Sequence, residues 1–346
     1  MKRMGFERSD IIGLFPAFGS DTFGGVQTSG REAWEGIVRS SGESKSKAIF
    51  YESGASKFGA ILDALRNRQA ANIVLVWHVQ LLKLLPFLNH SAARVVLFLH
   101  GIEAWMKQDL LTRRCLAKAD AILSNSDHTW AQFLKSNHEF SKKLHRTVHL
   151  GSGSALNTST PSPSEQPAVL MVGRLNSKED YKGHRQMIEA WPLVLRHAPQ
   201  AELWIAGDGD LRPALEGLAQ TCSVRSQVRF FGHVTEGEKE ELIARSRCLA
   251  LPSRGEGFGI VYLEAMRMGR PCIVSTLDAG REVVNPPEAG LAINPDDPAQ
   301  VAQAVGRMLT PGLEWNLWSS RARSRYEARF TTEHFQQRLL GALFEA

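Results

Sequence analysis

Short apolar runs recur along the chain, and polar segments of helix length separate them. Strands buried on both faces of a parallel sheet have this nearly continuous apolar pattern, so each run is predicted to be such a strand. Strands that alternate with helices indicate βαβ units. The strands predicted in the first half are Asp10–Phe15, Lys47–Tyr51, Ile73–Trp77, Val95–Leu99, Ala121–Ser124 and Thr147–Leu150.

A polar segment, residues 151–167, interrupts this alternation near the middle of the chain. It is rich in Gly, Ser, Thr and Pro and has few apolar side chains. Burial there could not offset the entropy of ordering, so a linker or flexible loop is predicted. The alternation then restarts. The strands predicted in the second half are Ala168–Gly173, Glu202–Ala206, Val228–Phe231, Cys248–Leu251, Cys272–Ser275 and Leu291–Ile293.

The repeated alternation predicts two α/β domains, which a length of 346 residues also favours. We expect an N-terminal domain at residues 1–160 and a second domain at 161–320. A C-terminal helix is expected at 321–346, with a return to the N-terminal domain as one option. Ligands in open parallel sheets bind at the carboxyl ends of the strands. A ligand cleft between the two domains is therefore expected.

Composition fits a globular protein, with 43% hydrophobic and 22% charged residues. The charged N-terminal residues have no apolar stretch behind them, so no signal peptide is expected. Runs such as Val95–Leu99 are too short to span a bilayer. The four cysteines lack metal-binding or redox spacing, which favours free thiols and a cytoplasmic location.

Charge is unevenly distributed between the two halves. Residues 1–160 carry 20 basic and 13 acidic side chains, a net charge of +7, whereas residues 161–346 carry 21 and 23, a net charge of −2. A basic half favours an anionic partner, such as phosphates or an anionic membrane surface. The charges are dispersed and no aromatic-rich basic patch accompanies them, so nucleic acid is not expected.

A glycine-rich stretch follows the predicted strand Cys248–Leu251. Gly255, Gly257 and Gly259 permit positive φ and let backbone approach a ligand closely. A helix is predicted to begin near Phe258–Ile260. The free N–H groups and the positive dipole end of such a helix suit a phosphate.

Two glutamates accompany this helix start. Glu264 lies within a helix that is apolar nearly all round, and a buried carboxylate must be paired or hydrogen-bonded. Two ribose hydroxyls could satisfy it, or Arg267 at i+3 could pair with it as a purely structural contact. Glu256 precedes the helix and could bind sugar hydroxyls or cap the helix N-terminus.

Seven residues separate Glu256 from Glu264, and Gly-Phe-Gly follows the first glutamate. This pattern resembles the retaining nucleotide-sugar glycosyltransferases of family 4. The resemblance implies the GT-B fold, in which two Rossmann-like, doubly wound parallel-sheet domains face a central cleft. It implies that Glu256 holds hydroxyls of the donor sugar and that Glu264 holds the ribose. The backbone N–H groups of Gly257, Phe258 and Gly259 would face the sugar and diphosphate.

Other motifs follow in the order of that family. Arg174 after Val172-Gly173, with Lys182-Gly183 beyond it, looks like the basic pair that binds the donor diphosphate. Two such residues are usually solvated surface, but these follow the first strand of the second domain at its ligand-facing end. The remaining matches are the Gly-Gly loop Phe23-Gly24-Gly25-Val26-Gln27, His100 near the donor sugar, and Gly232-His233-Val234 beside the base.

The resemblance implies a retaining hexosyltransferase that uses a UDP- or GDP-linked sugar and a saccharide or lipid-linked acceptor in polysaccharide or glycolipid synthesis. Asp208-Gly209-Asp210 is interpreted as part of a turn and not as the Asp-x-Asp pair that chelates a metal–diphosphate, so neither a metal nor a cofactor is expected. The alternatives are a nucleotide-sugar epimerase of the same fold and a non-catalytic nucleotide-sugar binder. The acceptor is expected on the first domain, and peripheral contact with the inner face of a membrane remains open. Leu81–Leu88 could meet that membrane or form a core helix.

Overall fold

The computed structural model describes residues 10–18, 24–51, 57–66 and 71–344. It divides into two compact units. The first comprises Met1–Gly153 and Thr332–Ala346, and the second comprises Ser154–Thr331. The boundary between the two units therefore follows Gly153 and lies before residue 160, the end expected for the first domain. The C-terminal segment that belongs with the first unit begins at Thr332 rather than at residue 321. Residues 1–9, which include those considered for a signal peptide, lie outside the described ranges.

The first unit contains a parallel sheet of six strands in the order β2-β1-β3-β4-β5-β6. Five of these strands lie where the apolar runs predict them. The strands are β1 (Ile11–Pro16), β2 (Ser46–Tyr51), β3 (Ile73–Val76), β4 (Arg94–Leu99), β5 (Ala121–Ser124) and β6 (Leu144–Thr147). The helices are α1 (Gly25–Ser41), α2 (Lys57–Arg66), α3 (Ile102–Trp105), α4 (Leu110–Leu116), α5 (Asp127–Ser136) and, at the chain end, α13 (Thr332–Phe344).

The prediction for the sixth strand is wrong. The strand is Leu144–Thr147, and only its last residue belongs to the predicted run Thr147–Leu150. This strand lies at the edge of the sheet, where its side chains are exposed or half-buried, so it lacks the apolar pattern of a central strand. Val148 and Leu150 are buried beyond the strand end, which explains why their apolar character was misleading.

The leucine-rich segment Leu81–Leu88 lies in the core of the first unit. It falls largely within a 3₁₀ helix, Val79–Phe87, and Leu81, Leu82, Leu84, Leu85 and Leu88 are all buried. Buried side chains of this kind cannot reach a lipid surface. The core alternative for this segment is therefore correct.

The second unit repeats the architecture with six parallel strands in the order β12-β11-β10-β7-β8-β9. All six match their predicted runs to within one residue at either end. They are β7 (Ala168–Val172), β8 (Glu202–Ala206), β9 (Val228–Gly232), β10 (Cys248–Leu251), β11 (Cys272–Ser275) and β12 (Gly290–Ile293). The helices are α6 (His184–His197), α7 (Arg212–Thr221), α8 (Glu236–Arg245), α9 (Ile260–Arg267), α10 (Gly280–Val284), α11 (Pro298–Leu309) and α12 (Leu313–Arg329).

Both sheets are doubly wound, but their strand orders differ. The second has the Rossmann order, with its first strand, β7, beside its fourth, β10. The first sheet places β1 between β2 and β3, as flavodoxin-like sheets do. In each case the winding reverses beside the first strand. The carboxyl ends of the strands at that reversal are where such sheets bind ligands.

Candidate functional site

The predicted donor site lies at the winding reversal of the second unit. β7 and β10 are hydrogen-bonded neighbours, so the loops that follow them leave the same edge of the sheet side by side. The loop after β7 carries Arg174 and Lys182, and the loop after β10 carries Glu256 and the glycines. The topology thus places the two predicted halves of a diphosphate site next to each other.

Contacts between the two loops hold them together. The Arg254 N–H donates to the Tyr181 carbonyl at 2.9 Å. Gly183 has φ of +86°, and a Cβ there would lie 2.5 Å from the Pro252 carbonyl oxygen. Only glycine combines that conformation with so close an approach. Lys182, the residue before Gly183, is therefore fixed beside the loop after β10.

Arg174 and Lys182 converge on one carboxylate. Arg174 Nη2 lies 2.5 Å from Glu179 Oε1, and Lys182 Nζ lies 3.2 Å from Glu179 Oε2. A Cβ built on Gly173 would meet the Lys182 stem at 3.4 Å, so the lysine lies against the end of β7. Glu179 was not singled out from the sequence, because its partners are visible only once the loop folds.

The helix after β10 begins at Ile260, within the predicted Phe258–Ile260 start. Gly259 precedes it with φ of +88°, and a Cβ there would lie 2.4 Å from the Tyr262 ring. Phe258 is buried, and its ring lies 6.2 Å from that of Phe330. Gly257 is also buried, whereas Glu256 is half-buried.

Asp278 lies next to this helix start and was missed by sequence reasoning. The Ala279 N–H donates to the Glu256 carbonyl at 3.1 Å, which brings the loop after β11 against the loop after β10. Asp278 Oδ1 accepts from the Gly280 N–H at 2.9 Å. Burial, and secondarily the charge of Glu256, raises the pKa of Asp278 to about 8. Its neighbours Thr276 to Gly280 carry no pattern that would have marked it.

Glu264 is paired, but with a partner other than the one considered. Lys239 Nζ, from α8, lies 2.9 Å from Glu264 Oε1 and 2.8 Å from Glu236. Arg267 instead binds Glu240 at 3.2 Å and the Ser154 carbonyl at 2.9 Å. Burial raises the pKa of Glu264, and the charge of Lys239 opposes that rise. The i+3 pairing with Arg267 is therefore wrong.

The segment Gly232-His233-Val234 follows β9, the edge strand of the same sheet. Gly232 has φ of +70°, and its carbonyl accepts from the Gly207 N–H at 2.8 Å. Helix α8 begins directly afterwards, with Thr235 and Glu238 forming a capping box. Because α8 also carries Lys239, this helix joins the segment predicted beside the base to the glutamate predicted at the ribose.

Gly24, Gly25 and His100 lie in the first unit. Gly24 is the N-cap of α1 and Gly25 its first residue, while Phe23 falls outside the described ranges. His100 follows β4, and its Nε2 donates to the Trp77 carbonyl at 2.6 Å. Burial, aided by the positive charge of His78, lowers the pKa of His100 to about 3. The imidazole is therefore neutral near pH 7 and serves as a hydrogen-bonding group rather than a cation.

Comparison with known proteins identifies the region that holds the donor-site candidates. Residues 166–311 match the family model described as "Glycosyl transferases group 1". Residues 166–311 form a group 1 glycosyltransferase domain. This group 1 domain contains the cations, the glycine run and both glutamates, together with Glu179, Lys239 and Asp278, which sequence reasoning missed.

Curated relatives match over parts of the chain. An uncharacterized glycosyltransferase of Methanocaldococcus jannaschii is 37% identical over 42% of this chain and 36% of its own length. The alpha-D-kanosaminyltransferase of Streptomyces kanamyceticus is 28% identical over 57% of this chain and 53% of its own length. A GDP-mannose-dependent phosphatidylinositol monomannoside mannosyltransferase of Corynebacterium glutamicum is 27% identical over 73% and 70%. The chain thus spans only about a third to a half of the first two relatives.

Solved structures establish the fold more widely than the group 1 domain alone. Anabaena HepE in complex with UDP has a TM-score of 0.78 at 17% identity, covering 97% of this chain and 100% of HepE. Sucrose-phosphate synthase from Thermosynechococcus elongatus has a TM-score of 0.77 at 18% identity, covering 97% and 98%. The GT-B fold class predicted from the sequence is confirmed.

The described residues also bear on metal binding and on membrane insertion. Residues 10–18, 24–51, 57–66 and 71–344 contain no group of three or more His, Cys, Asp or Glu side chains arranged to hold a metal ion. Within those same ranges, no helix is both long and apolar enough to cross a membrane. All four cysteines are free thiols, and three of them are buried.

Proposed function

We propose that the chain is a metal-independent, retaining hexosyltransferase. It takes a hexose from a UDP- or GDP-linked donor and transfers it to a saccharide or lipid-linked glycan in polysaccharide or glycolipid synthesis. The observation that carries this proposal is the convergence of Arg174 and Lys182 on a single carboxylate, beside a glycine-lined helix start. Two cations held that close together suit the adjacent charges of a diphosphate.

The comparisons support the same chemistry. One relative is named for GDP-mannose and another for the transfer of a kanosaminyl group, and HepE was solved in complex with UDP and glucose. Each of those names describes the relative itself. For this chain they favour a nucleotide-linked sugar over other ligands of a doubly wound sheet, and they leave the base and the hexose to experiment.

The reaction places negative charge on the departing nucleoside diphosphate. The bond between the sugar C1 and the phosphate oxygen breaks, and a bond from C1 to the acceptor oxygen forms on the same face. The acceptor proton passes to the leaving phosphate. Arg174 offers a planar fork and Lys182 a compact charge, and preorganised cations of this kind stabilise such a transition state.

The other site residues bind and orient the donor. The half-buried Glu256 is assigned to the hydroxyls of the sugar, and the backbone N–H groups at Gly257 to Gly259 to the sugar and diphosphate. Glu264 is assigned to the ribose, with one oxygen already held by Lys239. The Gly232–Val234 segment is assigned to the base. Gly24, Gly25 and the neutral His100 are assigned to the donor from the first unit.

An epimerase would bind the same donor and need no acceptor, and a non-catalytic binder would not consume it. A screen of UDP- and GDP-hexoses by thermal shift should identify the donor, because a ligand of the folded state raises the melting temperature. Release of nucleoside diphosphate that requires a glycan acceptor then identifies a transferase. Conversion of the donor without acceptor would identify an epimerase instead.

The roles of the two cations can be measured with that donor. Lys182→Ala or Arg174→Ala should each lower turnover by about 100-fold or more, the scale for removing an electrostatic partner of a transition state. Lys178→Ala is a matched control, since Lys178 is exposed on the same loop, whereas the recorded ion pairs of Glu179 are with Arg174 and Lys182. Wild-type turnover by either Arg174→Ala or Lys182→Ala would contradict the assigned chemistry.

We further propose that the first unit meets an anionic membrane that holds a lipid-linked acceptor. Met106, Leu110 and Leu111 are large apolar residues with exposures of 67%, 63% and 49%; Met106 follows α3, and the two leucines begin α4. The exposed cations Lys107 and Arg114 lie within the same short segment. Apolar side chains flanked by cations suit insertion between anionic headgroups.

Liposome co-sedimentation tests this surface. The wild type should bind anionic vesicles at low salt, and less at higher salt because the attraction is screened. A Met106→Ser, Leu110→Ser, Leu111→Ser triple variant should lose most of this binding. Leu313→Ser with Leu317→Ser, which replaces two exposed leucines of α12, should retain it. Absence of wild-type binding at low salt would remove the membrane proposal.

A further inference from the structure

In the described part of the chain, Glu179 is the one acidic residue that forms ion pairs with both cations of the proposed donor site. Its carboxylate reaches Arg174 with one oxygen and Lys182 with the other. The Glu179 and Lys182 side chains are 17% and 15% exposed, whereas that of Arg174 is 64% exposed. The lysine and the carboxylate are thus largely covered, whereas the arginine is mostly exposed.

The loop that carries Glu179 is anchored on both sides of it. Ser177 donates from its N–H and its hydroxyl to the Asp210 carboxylate at 2.8 Å and 2.6 Å. Tyr181 and Gly183 are fixed against the loop after β10, as described above. The loop contains a 3₁₀ helix, Ser177–Lys182, in which Glu179 departs from helical geometry with φ of −116°. The hydrogen bonds of Ser177 and Tyr181 therefore hold the backbone on both sides of Glu179 in place.

A diphosphate and the Glu179 carboxylate would compete for the same cations. A phosphate oxygen bound to Arg174 or Lys182 at hydrogen-bond distance would lie within a few ångströms of the Glu179 oxygens. Like charges that close repel strongly, and a neighbouring charge at about 4–6 Å shifts a protonation equilibrium by one to three powers of ten. This repulsion would displace Glu179 from at least one cation when a diphosphate binds.

We propose that Glu179 is an exchangeable counter-ion that weakens diphosphate binding and so promotes release of the nucleoside diphosphate product. This inference rests on the proposed function, because it assumes that Arg174 and Lys182 bind a diphosphate. It gives Glu179 two effects. The carboxylate neutralises the two cations in the empty site, and it returns to them as the product leaves.

Three variants separate charge from shape. Glu179→Gln removes the charge at nearly constant size, and Glu179→Asp keeps the charge on a shorter side chain. Asp180→Asn is the matched control, because it makes the same change of charge at the next residue. Asp180 pairs with Arg185 at 2.6 Å and not with either cation. The probes are UDP, GDP and inorganic pyrophosphate, measured by titration calorimetry on the full chain.

Glu179→Gln should bind the probes more tightly than the wild type, by about tenfold or more. Asp180→Asn and Glu179→Asp should remain close to the wild type. In turnover, Glu179→Gln should lower both the donor KM and the inhibition constant of the nucleoside diphosphate product. It should lower kcat as well where product release limits the rate. A residue that merely supported the fold would not tighten binding.

Unchanged or weaker probe binding by Glu179→Gln, with normal binding by the wild type, would overturn the counter-ion role and leave the proposed function standing. Tightening in Asp180→Asn of the same size would also overturn it, since net charge alone would then explain the effect. If the wild type and all variants bind none of the three probes, both the inference and the diphosphate site fail. Failure of the counter-ion role can thus be distinguished from failure of the proposed diphosphate site.

Discussion

At the scale of single residues, the carboxylates of the group 1 domain have different surroundings. Glu179 holds two cations, Glu264 is shared with Lys239, and Asp278 is buried beside Glu256. A buried carboxylate that lacks a cation takes up a proton more readily. Lys239, itself bound by Glu236, is therefore the group that favours the ionised form of Glu264.

Replacing Lys239 tests this dependence. Lys239→Met should raise the pKa of Glu264 further and weaken nucleotide binding by about tenfold, the scale for losing a hydrogen bond to a charged group. Affinity of the variant should improve as pH rises, because Glu264 then ionises. Glu236→Gln is the control, since it leaves the contact between Lys239 and Glu264 intact. Titration with UDP and GDP at several pH values measures the effect, and an affinity unchanged from the wild type would contradict it.

At the scale of elements, the central strands could be predicted because both of their faces are buried. β5, β8, β10 and β11 begin and end where their apolar runs do. The edge strand β6 could not be predicted, since its Leu-His-Arg-Thr sequence is exposed or half-buried. The start of α9 was predictable because a glycine permits the positive φ that this turn requires, and Gly259 adopts it.

The side-chain contacts that join different elements at the candidate site could not be predicted from the sequence. The loop positions of Arg174 and Lys182 followed from the strand ends. Glu179, however, joins them through the turn of a 3₁₀ helix whose geometry is irregular. Lys239 and Glu264 are 25 positions apart, and only the packing of α8 on α9 brings them together. Sequence spacing reveals partners within one helix, which is why Arg267 was considered for Glu264 and Lys239 was not.

At the scale of the whole molecule, the chain passes between the two units twice, after Gly153 and before Thr332. Both points meet within the first unit, where the Thr332 N–H donates to the Gly153 carbonyl at 2.9 Å. Glu32, from α1, accepts from the Gly153 N–H at 3.4 Å and from the Thr332 hydroxyl at 3.1 Å. One half-buried carboxylate thus ties α1 to both chain crossings.

Glu32 should make the stability of the protein depend on pH. Burial raises the pKa of Glu32 from 4.5 to about 7, against hydrogen bonds from Thr332 and Gly153 that lower it. At pH values between 4.5 and about 7, the folded state binds more protons than the unfolded state. The free energy of unfolding therefore falls as pH rises through this window and levels off above about pH 7. Glu32→Gln cannot ionise, and its stability relative to the wild type should increase across that window. Urea denaturation at pH 5, 6, 7 and 8 measures the difference, with Glu43→Gln, at an exposed glutamate, as the control. Parallel pH profiles for the wild type and Glu32→Gln would show that Glu32 ionises normally despite its burial.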